Sequence, residues 1–232
     1  KPGDSLFIGG IELNCSDEKG KYHILGYCYD ESKTSIVKAV SKNHKARFDK
    51  VAHRLKHLER EYGIVFSPTE LHRIYENENP GKPVIVALMR EKGLIKDDKT
   101  GFEMLSCPIP EAEALTPEEA IDAILEADGI PVLAHGILAD GDTHLSEEAL
   151  TERVARLKRA GLMGLEAYYS AFSQEDITVT LALARTYGLM VTAGSDYHGV
   201  GKHGGVLPGQ THSPSPDEMN RFYRAVEKLL LQ

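Results

Sequence analysis

The sequence predicts an α/β fold whose strands run largely parallel, and three observations carry that prediction. From residue 115 onward, a capped helix, a glycine stop and a short apolar strand recur three times in succession. Two strand-like runs near the start enclose a polar turn, the pattern of a hairpin. Between hairpin and repeats lies a long stretch with helical spacing of its apolar residues.

The elements follow in order. Residues 6–15 and 21–29 form the hairpin, joined by Ser16-Asp17-Glu18-Lys19-Gly20. Phe48, Val51, Leu55, Leu58 and Tyr62 recur at three- and four-residue steps, which predicts one buried helical stripe that Gly63 ends. Ser67-Pro68-Thr69-Glu70 opens a second helix with a capping box and proline in its first turn. A short third helix follows Pro80-Gly81, and residues 96–110 read as a polar loop. Thr116, Ser146, Ser173 and Ser215 start the later helices, and Gly129, Gly161 and Gly188 stop the first three of them. The short apolar strands fall at 130–135, 162–168 and 189–193. Helices alternating with such strands imply a parallel α/β sheet or barrel.

The 232 residues suit one large domain or a domain with an insertion, here expected over residues 31–114. With 27 basic and 35 acidic residues the net charge is −8, which argues against a broad surface for duplex nucleic acid. No apolar run reaches bilayer length and no leader pattern is present, so neither membrane insertion nor secretion is expected. Three unpaired cysteines, Cys15, Cys28 and Cys107, fit reduced thiols in the cytoplasm. Oligomeric state is not legible.

Parallel sheets and barrels place their chemistry at the carboxyl ends of the strands. One strand finishes on His135, the next carries Glu166, and the third runs into Gly194-Ser195-Asp196-Tyr197-His198-Gly199. In the hairpin, Glu12 follows Gly9-Gly10-Ile11 and His23 lies between Tyr22 and Ile24; a suitable register would put both on one face. Imidazole and carboxylate groups gathered in this way suit a metal site. Each residue also has a plainer reading. A strand-end histidine is often just a hydrogen-bonded core residue, Asp196 to His198 fits a turn, and Glu12 and His23 fit a polar strand face. Convergence on one end of the sheet favours the metal reading. Glu166 reads as a supporting or structural residue. His53 and His57 lack the His-Glu-x-x-His pattern and are expected on a solvated helix face, while His203 and His212 fall in a loop near the strand ends. No phosphate loop, dinucleotide fingerprint or nucleophile elbow competes.

Four ordered motifs resemble the polymerase and histidinol phosphatase (PHP) family of metal-dependent phosphoesterases. They are Ile8-Gly9-Gly10-Ile11-Glu12, His23-Ile24-Leu25-Gly26-Tyr27, Pro131-Val132-Leu133-Ala134-His135-Gly136 and Gly194-Ser195-Asp196-Tyr197-His198-Gly199. The branch with a helical insertion, which includes nucleoside-phosphate phosphatases and 5′-exoribonucleases, is the most similar; Gly164-Leu165-Glu166-Ala167-Tyr168-Tyr169-Ser170 also resembles it. The resemblance implies a distorted seven-stranded (β/α)7-type barrel holding two or three divalent ions of manganese, zinc or iron. By that pattern Glu12 bridges two ions, His23 and His135 complete one site, Asp196 serves the other, and His198 serves a third ion. It also implies that residues 31–114 cap the strand ends.

The family's opening His-x-His and Thr-Asp-His strands are absent from these residues, and Lys82-Pro83-Val84 stands where relatives carry Arg-Pro-His. Together with a first residue Lys1, this leads to the expectation of a chain truncated at its start, with an incomplete site; a natural, inactive fragment is the other explanation. The expected function is hydrolysis of a phosphate ester on a nucleotide or nucleic-acid end by metal-activated water, with Lys202 and Arg47 as candidate phosphate contacts. The alternatives are an inactive metal- or partner-binding remnant, and an amide or ester hydrolase on a related metal barrel.

Overall fold

The computed structural model of the protein describes residues 7–77, 80–109, 114–138, 143–197, 207, 209 and 212–230. The hairpin forms from Gly10–Asp17 (β1) and Gly20–Tyr27 (β2), paired antiparallel with Asp17 opposite Gly20. The turn is therefore tighter than the five-residue connection predicted: Asp17 accepts the Lys19 N–H at 2.8 Å, which closes it locally.

Next come the helices Thr34–Tyr62 (α1), Pro68–Tyr75 (α2), Lys82–Glu91 (α3), Asp98–Met104 (α4) and Pro117–Glu126 (α5). They are followed by Ile130–Leu133 (β3), Glu147–Arg159 (α6), Gly164–Tyr169 (β4), Gln174–Thr186 (α7), Met190–Gly194 (β5) and Pro216–Leu230 (α8). Side-chain caps at Ser67, Thr116, Ser146 and Ser173 start α2, α5, α6 and α7 where the sequence predicts them. Helix α4 corrects the expected loop over 96–110. Asp97 accepts the Thr100 N–H at 2.8 Å, and that cap starts a short helix which closes over Ile95 and Val86 at Gly101. The stop after α5 differs too. Asp128, not Gly129, takes the left-handed conformation, with φ 59°. Gly129 is needed for room: a Cβ there would lie 2.8 Å from Tyr29 and 2.9 Å from Ile124.

The strands form one mixed sheet in the order β1-β2-β3-β4-β5, with β1, β2 and β3 antiparallel in turn and β3, β4 and β5 parallel. Its two faces are covered differently. Leu13, Cys15, Tyr22, Ile24, Leu133, Leu165 and Val191 share the face that packs on the apolar sides of α5, α6 and α7. On the other face Ile130, Val132 and Met190 pack against Phe222 and Val226 of α8, with Tyr27 edge-on to Phe222. Ile130 and Met190 begin their strands, so α8 covers the amino-end half of that face. Between Glu166 and Tyr168 the β4–β5 register shifts by a bulge at Ala167.

The chain divides into two compact units, residues 1–40 with 115–232, and residues 41–114. The second unit has its own core, with Val51, Leu58, Ile74, Ile85, Val86, Met89 and Leu105 buried together. Leu55 packs on that core as the stripe predicts, but Tyr62 is 48% exposed. Among the described residues no helix is long and apolar enough to cross a membrane.

Candidate metal centre

Glu12 and His23 reach one another because of the hairpin register. Glu12 lies opposite Leu25 and His23 opposite Asn14, so the two occupy the same face on a diagonal. The ladder continues into β3, where the Ala134 N–H donates to the His23 carbonyl at 3.0 Å. His135 then leaves the strand with φ 31°, a left-handed conformation that only glycine adopts without strain. That turn brings its ring against His23.

Glu12 Oε1 stands 2.7 Å from His23 Nδ1 and 3.8 Å from His135 Nε2, and the two ring nitrogens are 3.0 Å apart. All three ligand atoms lie within 4.8 Å of one another. Zinc bonds of ~2.0–2.1 Å in a tetrahedral shell separate neighbouring ligands by about 3.3 Å, so these spacings suit three donors around one cation. The donor chemistry fits as well. Two facing ring nitrogens can share only one proton, whereas a cation engages both lone pairs together with the carboxylate.

Charge and burial support the same arrangement. Burial opposes ionisation of Glu12, but hydrogen bonds from His135 and His23 overcome it and hold the carboxyl well below the usual range. Burial likewise works against a charged His135, yet Glu12, Glu166 and Asp196 together move its pKa upward. Glu166, on β4, is 4% exposed, and burial pushes its carboxyl up to about 7 against the opposing effect of the His135 N–H. Burial, with Glu166 and Glu12 nearby, pushes the Tyr27 phenol to about 12.

Asp196 follows β5, also in a left-handed conformation with φ 52°, and its Oδ2 accepts from Tyr169 Oη at 3.2 Å. It stands outside the three-donor group of Glu12, His23 and His135. Besides Cys28 after β2, His135 and Asp196 leave the carboxyl ends of β3 and β5 in strained conformations, the kind of cost that accumulates where geometry serves a ligand. Ser170 Oγ donates to the Ser195 carbonyl at 3.1 Å and ties the ends of β4 and β5 together.

The remaining predicted residues are placed as follows. His198, Lys202 and His203 lie outside the described residues. Arg47 is half-buried on α1, in the helical unit, and His212 is exposed. His53 and His57 are half-buried rather than solvated, because Val51 and Leu58 draw that stretch of α1 into the helical core. Cys15 and Cys28 are not cross-strand neighbours; Cys15 lies opposite Tyr22, and burial pushes its thiol far up.

Tyr169 is the site residue that sequence reasoning missed. Its ring centroid is 5.2 Å from that of His135, and its hydroxyl holds Asp196. Regular alternation would turn Tyr168 to the face of Glu166. The bulge turns Tyr169 there instead, and no pattern in the strand's composition announces a bulge.

No protein-family model matches the chain. The chain is 23% identical over 215 residues to a 3′,5′-nucleoside bisphosphate phosphatase from Chromobacterium violaceum, covering 90% of this chain and 73% of that protein. Two solved structures share its fold. One is an amidohydrolase from Chromobacterium violaceum with bound sulfate and no metal, at TM-score 0.76 and 23% identity, covering 96% of this chain and 77% of that one. The other, from Bifidobacterium adolescentis, is inferred to be a metal-dependent phosphoesterase, at TM-score 0.73 and 25% identity, covering 94% and 76%.

Proposed function

We propose that the protein is a metal-dependent phosphoesterase that hydrolyses a phosphate ester on a nucleotide or nucleic-acid end. The observation that carries this reading is the convergence of Glu12, His23 and His135. The PHP-like motifs and the names of the relatives, a nucleoside bisphosphate phosphatase and an inferred metal-dependent phosphoesterase, support the reaction class. In this reading the sheet is part of a distorted seven-stranded PHP barrel, and residues 31–114 are the insertion that helps select substrate. A cytoplasmic setting suits the three free thiols.

Divalent ions bound here supply Lewis-acid polarisation of the phosphoryl oxygens and a water of lowered pKa. Glu12 is held ionised and would offer its carboxylate to a first cation, whose set His23 and His135 would complete. Asp196, oriented by Tyr169, would serve a second cation, and His198 a third. Lys202 and Arg47 would contact the substrate phosphate. The net charge of −8 disfavours tracking along a long polyanion, which favours a small substrate or a chain end.

The test is a substrate panel with added manganese or zinc: 3′,5′-nucleoside bisphosphates, nucleoside monophosphates, 5′-phosphorylated oligonucleotides, histidinol phosphate, lactones and amides. Phosphate release from a nucleotide or oligonucleotide end, abolished by chelator, is expected. Turnover of lactones or amides alone would overturn the reading, as would bound metal without any phosphate release.

A further inference from the structure

Glu166 is a buried carboxyl group on β4, 4% exposed. Burying such a group is unfavourable unless it is hydrogen-bonded. Its partner is specific: Glu166 Oε2 accepts the backbone N–H of His135 at 2.8 Å. The neighbouring strand accommodates it. Gly194, the partner of Tyr169 in the β4–β5 register, lies where any added Cβ would run into Glu166 Oε1. Thr192, directly opposite Glu166, is fully buried and its hydroxyl has no hydrogen-bond partner. The space beside the carboxylate is thus provided by glycine, and its acceptor is directed at the one residue that leaves β3 in a strained conformation.

We propose that Glu166 is a positioning residue for the metal centre, and that Gly194 is the seat which makes room for it. Its acceptor oxygen holds the His135 amide in the left-handed turn, while the His135 carbonyl accepts from Leu138 N–H at 2.9 Å. Fixed from both sides, the turn keeps His135 Nε2 facing Glu12 and His23. Glu166 acts through the backbone of a ligand and binds no cation itself. The inference rests on the reading of Glu12, His23 and His135 as a metal site, and it adds a residue that does its work one bond removed.

The experiment compares the full chain with Glu166→Gln, Glu166→Leu, Gly194→Ala and His135→Ala. Manganese and zinc affinities are measured by chelator competition, alongside unfolding midpoints and hydrogen exchange of the His135 amide without metal. Glutamine keeps a carbonyl acceptor; leucine keeps bulk only. Loss of a supporting hydrogen bond weakens metal binding by about 10–100-fold, so that loss is expected for Glu166→Leu. Gly194→Ala should weaken binding in the same direction, and Glu166→Gln should stay within about threefold of the parent. Faster exchange of the His135 amide in Glu166→Leu but not in Glu166→Gln is expected even without metal. Parental affinity in Glu166→Leu or Gly194→Ala would overturn the proposal. So would a Glu166→Gln loss as large as that of Glu166→Leu, which would assign the effect to charge. If the parent and His135→Ala bind metal equally, the metal-site reading itself fails, a result separable from the others.

Discussion

His23 Nδ1 stands 3.0 Å from His135 Nε2, although 112 residues separate the two in the chain. Two ring nitrogens facing each other, with Glu12 Oε1 at 2.7 Å from the first, hold protons that a cation would displace.

That competition gives opposite pH dependences for the metal-free and metal-bound protein. His135 has a pKa raised above its ordinary 6.5, so its charged partnership stabilises the metal-free fold fully below that value. The contribution is lost as pH rises through the raised value. Metal affinity should run the other way and strengthen as the protons leave. His135→Ala should flatten both profiles and lower bound metal, as read by elemental analysis and thermal unfolding from pH 5 to 9. A His135→Ala protein with parental metal content would contradict the assignment.

Tyr169→Phe keeps the ring beside His135 and removes the hydroxyl that donates to Asp196. A hydrogen bond of this kind contributes ~0.5–1.5 kcal/mol, or about 2- to 10-fold in rate if it is felt in the transition state. Phosphate release should fall by that factor, while the affinity of the Glu12–His23–His135 site for its cation stays unchanged.

Thr192→Val should be neutral or stabilising. Its hydroxyl is buried without a partner, and an unsatisfied buried hydroxyl costs ~1–3 kcal/mol that an isosteric methyl does not. Denaturant unfolding measures this; a clear loss of stability would mean that the hydroxyl is satisfied in solution.

In the helical unit, Glu70 caps the Ser67 N–H and pairs with Lys92 at 2.6 Å. The Lys92 ammonium, with the Ser67 N–H, holds its carboxyl at about 2. A lowered carboxylate stabilises the fold above its ordinary value of 4.5, and that contribution is lost as pH falls toward about 2. Glu70→Gln keeps the capping box and loses the charge. It should lower the unfolding midpoint slightly at pH 7 and reduce the acid sensitivity between pH 4.5 and 2. Added salt should shrink the difference.

Much of this was legible in the sequence, because caps and stops are local signals. Ser67, Thr116, Ser146 and Ser173 announce their helices through side chains that bond three residues ahead. The hairpin and the strand ends at His135 and Asp196 were legible by alternation and position. What escaped depends on register and space. The α4 helix spans only 7 residues started by the Asp97 cap, too short for periodicity to show. The hydrogen bond from His135 to Glu166 and the clearance at Gly194 exist only once β3, β4 and β5 are aligned. His53 and His57 looked solvated because a stripe drawn from apolar residues ignores how far a helical core wraps around α1.

The bulge at Ala167 has a consequence for how this strand tolerates change. Ala167 has no partner on β5, so deleting it would shorten β4 and leave Tyr168 opposite Ala193 and Tyr169 opposite Gly194. Straightening the strand with Ala167 kept would instead exchange the two tyrosines, sending Tyr168 toward His135 and Tyr169 to the opposite face. A one-residue gap at this column is therefore the change that keeps a phenol at the metal centre.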